Sequence, residues 1–248
     1  NGGSPVQPQN IEIGSTIETA AVREGYVFNG WYGDKDLTQP VTAVPNQDIT
    51  VYAGWYNEGL SFQLTDDSSG YKVGKGTADS TDIILPPLYE GLPVVKIAES
   101  GFSSSSIQNI NIPNTVTEIG MCAFLYARAL QSVTIPDSVT KIGVSAFEDC
   151  DSLESIVIPD SVTDLGGRAL SYCDKLKFVK LSENITVLNY GMFYKDEKLK
   201  TVTIPDGVTE IGDDVFKNCN YLRYLVIPSG VQIIGSQPFL IYNNMVCY

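Results

Sequence analysis

The sequence predicts a mainly β solenoid with short helical turns, preceded by a small β-rich module. Three observations carry that prediction. The phrase IPDSVTKIG (135–143) returns as IPDSVTDLG (158–166) and as IPDGVTEIG (204–212). Whole columns of apolar residues recur at the same interval. The first 57 residues lack this rhythm and hold both tryptophans, Trp31 and Trp55, each followed by tyrosine.

Residues 1–57 are expected to form the separate β module. The stretch ITVYAGWY (49–56) is β-branched and aromatic, the composition of strands. With NGGSP at the start, the segment closely resembles the internalin-type B-repeat, or Listeria–Bacteroides repeat. Gly25, Tyr26, Phe28, Gly30, Trp31, Tyr32, Val41, Thr50, Tyr52, Ala53 and Trp55 carry the likeness. Gly54 stands where that family usually has lysine, and the strand that family has before NGGS is missing. The resemblance implies a ubiquitin-like (β-grasp) module used as a spacer on bacterial surface proteins. NEGL (57–60) is a short junction, so little hinge freedom is expected.

Residues 58–248 are expected to form the solenoid. Its first part, 58–83, includes LSFQLTDDSSGYKVGKG (60–76), in which alternating apolar residues flank a polar turn. That pattern predicts a hairpin capping the stack. The first coil, ILPPLYEGLPVVKIAESGF (84–102), has about five extra residues around YEGLP. Terminal repeats of a solenoid are atypical because they seal an open core.

The repeats themselves occupy 84–239. Prolines fall at 113, 136, 159, 205 and 228, with Ser182 at the remaining place, so the interval is 23 residues. One column reads Val116, Val139, Val162, Ile185, Val208, Val231; another reads Phe124, Phe147, Leu170, Phe193, Phe216, Phe239. A unit this short cannot bury its apolar face alone, but stacked units cover one another. In LESIVIP (153–159), Leu153, Ile156 and Ile158 point inward, with strand alternation at the last two. Proline then ends the strand and PDSV supplies turn chemistry, while SAFEDC is expected to form a short helical turn. A glycine column (Gly120, Gly143, Gly166, Gly212, Gly235), broken by Asn189, suggests a corner needing positive φ. Six coils about 4.8 Å apart make a rod of roughly 25–30 Å. After Phe239 the pattern fades, so 240–248 is an end or a cap.

The unit LxxIxIPxxVxxIGxxAFxxC, as at 130–150 and 153–173, resembles the BspA-type leucine-rich repeat over about residues 80–248. The resemblance implies a right-handed leucine-rich-repeat solenoid. It also implies a surface-exposed or secreted protein, bacterial or sometimes protist, with adhesion the activity most often attributed to the family. No acid, base and nucleophile set in the chain points to catalysis. The rival readings are a structural spacer or an accessory region of a larger surface protein or secreted enzyme.

Composition narrows the function. The formal net charge is −13, which disfavours nucleic acid and anionic membranes as main partners. There is no histidine, which removes Ser-His-Asp and Cys-His nucleophiles and histidine metal sites. No run approaches the ~18 apolar residues of a membrane span. No signal peptide is visible, and one is taken to have been removed. No cofactor is implied.

Each chemical motif has a repeat-position explanation. Ser138-Val139-Thr140-Lys141 matches Ser-x-x-Lys, but other coils read TVTE, SVTD and GVTE there. SGYKVGKG (69–76) falls short of a phosphate loop, with Ser69 for the first glycine and Gly76 for the magnesium-binding hydroxyl. Cys150, Cys173 and Cys219 share a column, expected to hold free thiols, although stacked coils would bring Cys150 and Cys173 within bridging reach. Asp137, Asp160, Glu183 and Asp206 form an acidic ladder read as turn caps, with calcium the rival reading. The remaining candidate is the outward face of the strands. There Thr134, Val157, Lys180, Thr203 and Val226 form one row, with Phe178 and Tyr224 in the row beside it. Such faces often bind, and aromatics often anchor interfaces, so a protein or glycan partner is expected there.

Overall fold

The structure is a computed structural model describing residue 4, residues 12–17, 20–35 and 37–240, and the backbone of 246–247. Two strands open the chain, β1 (Tyr26–Tyr32) and β2 (Tyr52–Asn57). They pair antiparallel, with a bulge between Phe28 and Trp31. Two single-pair bridges, Thr16 to Ala43 and Tyr32 to Pro40, tie the rest of this module together. Phe28 packs edge-on against Trp31 and Trp55, so the aromatic residues of the pattern form its small core. Among the described residues this is less than the β-grasp arrangement implied by the resemblance. NGGSP at the start lies outside them, apart from Ser4.

A hairpin follows, β3 (Ser61–Leu64) and β4 (Tyr71–Gly74), turned by the polar residues between. Next come β5 (Asp82–Ile84), β6 (Leu88–Tyr89) and β7 (Leu92–Ile97). From there each coil gives one strand to each of two sheets. The outward strand face takes β8 (Asn109–Asn111), β10 (Ser132–Thr134), β12 (Ser155–Val157), β14 (Phe178–Lys180), β16 (Thr201–Val202), β18 (Tyr224–Leu225) and β20 (Val246–Cys247). The second sheet takes β9 (Glu118–Ile119), β11 (Lys141–Ile142), β13 (Asp164–Leu165), β15 (Val187–Leu188), β17 (Glu210–Ile211) and β19 (Ile233–Ile234). All pairings between coils are parallel, and Asp82 pairs Asn109 where later coils pair at the 23-residue step, as Asn109 does with Ser132.

The hairpin lies at the N-terminal edge of the second sheet, with β3 its last strand. Its strand β4 pairs with β7 and so extends the second sheet. The open edge of the strand face, β5, meets Asn57 instead. The Asn57 amide donates to Asp82 O at 3.0 Å and accepts from Ile84 N–H at 2.6 Å, as a neighbouring strand would. Asn57 is itself buried, so the junction is pinned by a satisfied side chain.

The predicted columns meet inside. Phe102, Phe124, Phe147, Phe193 and Phe216 are each fully buried. Phe124 and Phe147 stack at 5.1 Å, and Phe193 and Phe216 at 5.3 Å. Phe239, at the far end, is only partly buried. Ile119, Ile142 and Ile211 of another column are fully buried, whereas Ile234 is 52% exposed where the described stack ends.

Two expectations need correcting. No helical turn forms in the segments around SAFEDC. Six coils instead hold two residues with left-handed φ there: Ser100 and Ser104, Cys122 and Tyr126, Ser145 and Asp149, Arg168 and Tyr172, Gly191 and Lys195, Asp214 and Asn218. That geometry interrupts a helix and aims alternate N–H groups at the next coil. Phe124 N–H donates to Ala146 O and Phe147 N–H to Ala169 O, making a third inter-coil ladder. The glycine column is not one of these positive-φ sites. It is kept small by close approach: a Cβ on Gly143 would lie 2.5 Å from Met121 N. Backbone contact between coils, not turn conformation, excludes a side chain.

Candidate functional site: the strand face

The seven residues singled out from the pattern are all solvent-exposed and lie on one side of the solenoid. Registry places them. Ser155 pairs Phe178 and Phe178 pairs Thr201, while Val157 pairs Lys180. Thr134 pairs Asn111 at the N-terminal side. Thr203 and Val226 sit one residue beyond β16 and β18, in continuation of the Lys180 row. The face forms because strand side chains alternate: Ile156, Val179, Val202 and Leu225 turn into the core and their neighbours turn out.

The face has two chemistries. Its N-terminal part is polar and internally bonded. Asn109 donates to Asp82 at 2.7 Å, and the Ser132 hydroxyl donates to Asn109 at 3.0 Å. Its C-terminal part leaves apolar groups in water. Val157 is 56% exposed, Phe178 52%, Tyr224 67% and Val226 69%. Lys177 pairs with Glu154 at 2.8 Å across one coil step, and that bond holds the Glu154 carboxyl below its usual range.

The ladder is interrupted between the two parts, and again between β16 and β18. β10 pairs with β8 and β12 pairs with β14, but β10 and β12 do not pair. The second sheet stays continuous at that level, with Lys141 opposite Asp164. Opening one side only leaves a cleft of about 540 Å³ on the strand face. Thr134, Asp137, Ser155, Val157, Asp160 and Lys180 line it. Lys180 Nζ reaches Asp160 at 3.8 Å, while Asp137 makes no ion pair among the described residues. The lining therefore offers hydroxyls, carboxylates and one ammonium around an apolar patch. The interruption has no counterpart in the repeated phrase, and sequence reasoning did not find the cleft.

The other motifs resolve into structure. The Ser138 hydroxyl donates to Val116 O at 2.6 Å, and Lys141 faces Asp164 at 3.6 Å, so the two do not meet as nucleophile and base. SGYKVGKG runs through the β3–β4 turn into β4. Cys150, Cys173 and Cys219 are free and buried, without the possible Cys150–Cys173 bridge. Their thiols donate to Phe124 O, Phe147 O and Phe193 O of the adjoining coils, and burial pushes their pKa upward. The acidic ladder does not cap its own turns. Asp160 accepts from Glu183 N–H of the next coil at 3.1 Å, whereas Ser138 and Ser161 bond the coil before. No metal-binding cluster occurs among the described residues.

Six copies of the BspA type leucine rich repeat match the sequence, over residues 95–223 and 209–245. The chain belongs to the BspA-type leucine-rich repeat family. Residues 1–54 match the Listeria-Bacteroides repeat domain. Among solved structures, this leucine-rich repeat chain is similar to the leucine-rich repeat protein of T. pallidum. That match has a TM-score of 0.70 and 29% identity, covering 73% of this chain and 86% of that one. A leucine-rich repeat protein of Bacteroides ovatus matches with a TM-score of 0.60 and 25% identity, covering 75% of this chain and 56% of that one. A protein of Evansella cellulosilytica named as a Gly-rich membrane protein is 35% identical over 92 residues. The match covers 35% of this chain and 10% of that relative, so the chain spans a small part of its curated relatives. Both repeat types are typical of bacterial surface or secreted proteins, and leucine-rich repeat families are typically non-enzymatic. Among the described residues, no helix is long and apolar enough to cross a membrane.

Proposed function

We propose that the chain is a non-enzymatic binding and adhesion module of a bacterial cell surface. Its strand face meets a protein or glycan on a host or neighbouring cell, and the N-terminal repeat holds the solenoid away from the cell wall or from a neighbouring domain. The observation that carries this reading is the exposure of Val157, Phe178, Tyr224 and Val226 along one face of the stack, the first two on the paired strands β12 and β14 and the others at β18, two coils on. Aromatic anchors on a preorganised face supply contact area at low entropic cost. The cleft beside them adds polar groups that can fix a partner's orientation.

The test is an array of host matrix proteins and cell-surface glycans probed with the intact chain. The double substitution Phe178→Ala plus Tyr224→Ala should weaken capture by its best ligand by about 10–100-fold, as loss of interface anchors does. Undiminished capture by that variant would remove the strand face as the contact. No capture by either chain would favour a passive spacer inside a longer surface protein.

A further inference from the structure

A second surface lies on the turn side of the solenoid, away from the strand face. Three cations converge there on one ring. The Arg168 guanidinium carbon lies 5.9 Å from the Tyr194 centroid, Lys195 Nζ 5.7 Å and Lys217 Nζ 5.9 Å. Lys195 is also 5.1 Å from the ring of Tyr172, which meets Tyr194 edge-on at 5.3 Å. Carboxylates match only two of the cations: Glu148 reaches Arg168 at 3.4 Å, and Asp214 reaches Lys217 at 3.2 Å. Lys195 has no carboxylate within ion-pair distance among the described residues. The chain has 29 acidic and 16 basic residues, so a local surplus of positive charge runs against the average.

A third aromatic extends the patch, joined to it where Arg168 N–H donates to Tyr190 O at 2.9 Å. The Tyr190 ring lies over Gly167, where a Cβ would come 2.5 Å from the ring edge, and Tyr190 is 51% exposed. Glycine at 167 thus gives the ring a flat berth and fixes its orientation. In the sequence these residues look scattered, because they fall off the core columns. The fold gathers them from three successive coils.

We infer that this patch binds an anionic glycan, one bearing sulfate or carboxylate groups. Three cations around one ring repel one another, and an anion at Lys195 would relieve that repulsion. The exposed Tyr190 face suits the apolar face of a sugar ring, since an aromatic face offers contact area and a defined stacking plane. Tyr172 and Tyr194 hold Lys195 in place by cation–π attraction. The patch shares no residue with the strand face, so this reading stands apart from the adhesion proposal.

The experiment is calorimetric titration of the intact chain with a heparin-derived hexasaccharide. Its desulfated counterpart and a hexaglutamate peptide serve as comparisons. Binding of the sulfated sugar should weaken as salt rises. Lys195→Gln and Tyr190→Ala should each lower the affinity by about tenfold, the loss expected for a charge-assisted contact or a stacking face. Phe178→Ala plus Tyr224→Ala should leave it unchanged. Because Tyr190 is exposed and Lys195 partly so, circular dichroism melts should stay at the parent value. Three results would overturn the inference: no heat with the sulfated sugar, equal binding of the glutamate peptide, or binding indifferent to both substitutions.

Discussion

Two neighbouring coils obey the same core columns, yet only one keeps the repeated phrase. The coil at 158–173 reads IPDSVTDLG, and the next reads LSENITVLN, with Ser182 for proline and Asn189 for glycine. Inside, they are indistinguishable: Val162, Leu165 and Leu170, like Ile185, Leu188 and Phe193, are buried to within 2%. Outside, they differ. Gly166 N–H donates to Ile142 O at 2.8 Å, whereas Leu165 O is met by the Asn189 side-chain amide at 2.7 Å. The preceding coil's valine carbonyl takes a serine hydroxyl in both, but from Ser161 in the regular coil at 2.7 Å and from Ser182, at the proline position, in the other at 2.6 Å. In the irregular coil Asn184 adds a bond to Asp160 O at 2.7 Å. The second sheet is interrupted at that step, between β13 and β15. The comparison teaches that the columns hold the stack, and that surface hydrogen bonds can pass from backbone to side chain without loss of the core.

The strongest way to break the comparison is to empty both cores. Phe147→Ala and Phe193→Ala should each cost about 3–5 kcal/mol, the range for a buried phenylalanine in a close-packed interior. Chemical denaturation of the two variants measures this. A Phe193 cost far below the Phe147 cost would mean that the irregular coil is loosely packed.

A second difference lies in the cysteine column, which places Asp196 between Cys173 and Cys219. Its side chain is buried, and Oδ2 finds no partner. Burial raises its pKa well above the ordinary carboxyl range, Asp174 adds to the rise, and the bond from Cys173 N–H at 2.8 Å opposes it. The folded state therefore keeps a proton that the unfolded chain releases near pH 4. Stability from this group is full below that pH and falls as pH rises towards the folded pKa. The slope is at most about 1.4 kcal/mol per pH unit. Asp196→Ala, matching Ala127 of the same column, removes the term. Above about pH 4 the parent should lose stability with rising pH more steeply than the variant. Equal losses would show that the carboxyl is already ionised in the fold.

Most of the stack was legible because a column is a local property repeated. Once Val116, Val139, Val162 and Val208 recur at one step, only stacking buries them all. The outward rows followed from strand alternation. The conformation of the turns was not legible, because Cys122, Ser145, Arg168 and Tyr172 carry no residue-type signature of positive φ. The cleft between β10 and β12 and the patch around Tyr194 were hidden for another reason. Each depends on how far neighbouring coils separate, or on residues that no column unites.

The smallest expected effect tests the cause of the interruption itself. Asn189→Ala removes the bond to Leu165 O and should cost about 1 kcal/mol, as a net hydrogen bond does. Asn189→Gly discriminates between two causes. If the asparagine side chain holds the coils apart, glycine lets residue 189 donate its own N–H to Leu165 O, as Gly166 does to Ile142 O. Stability would then recover to the parent value, and the amide of residue 189 would gain protection from hydrogen exchange. If glycine is no better than alanine, the spacing is imposed from the other end of the coil, where Ser182 replaces proline and bonds Val162 O. Gly166→Ala supplies the contrast within the regular coil. Its Cβ would collide with the Val144 amide, so overpacking should cost about 1–3 kcal/mol, more than the same residue costs at 189.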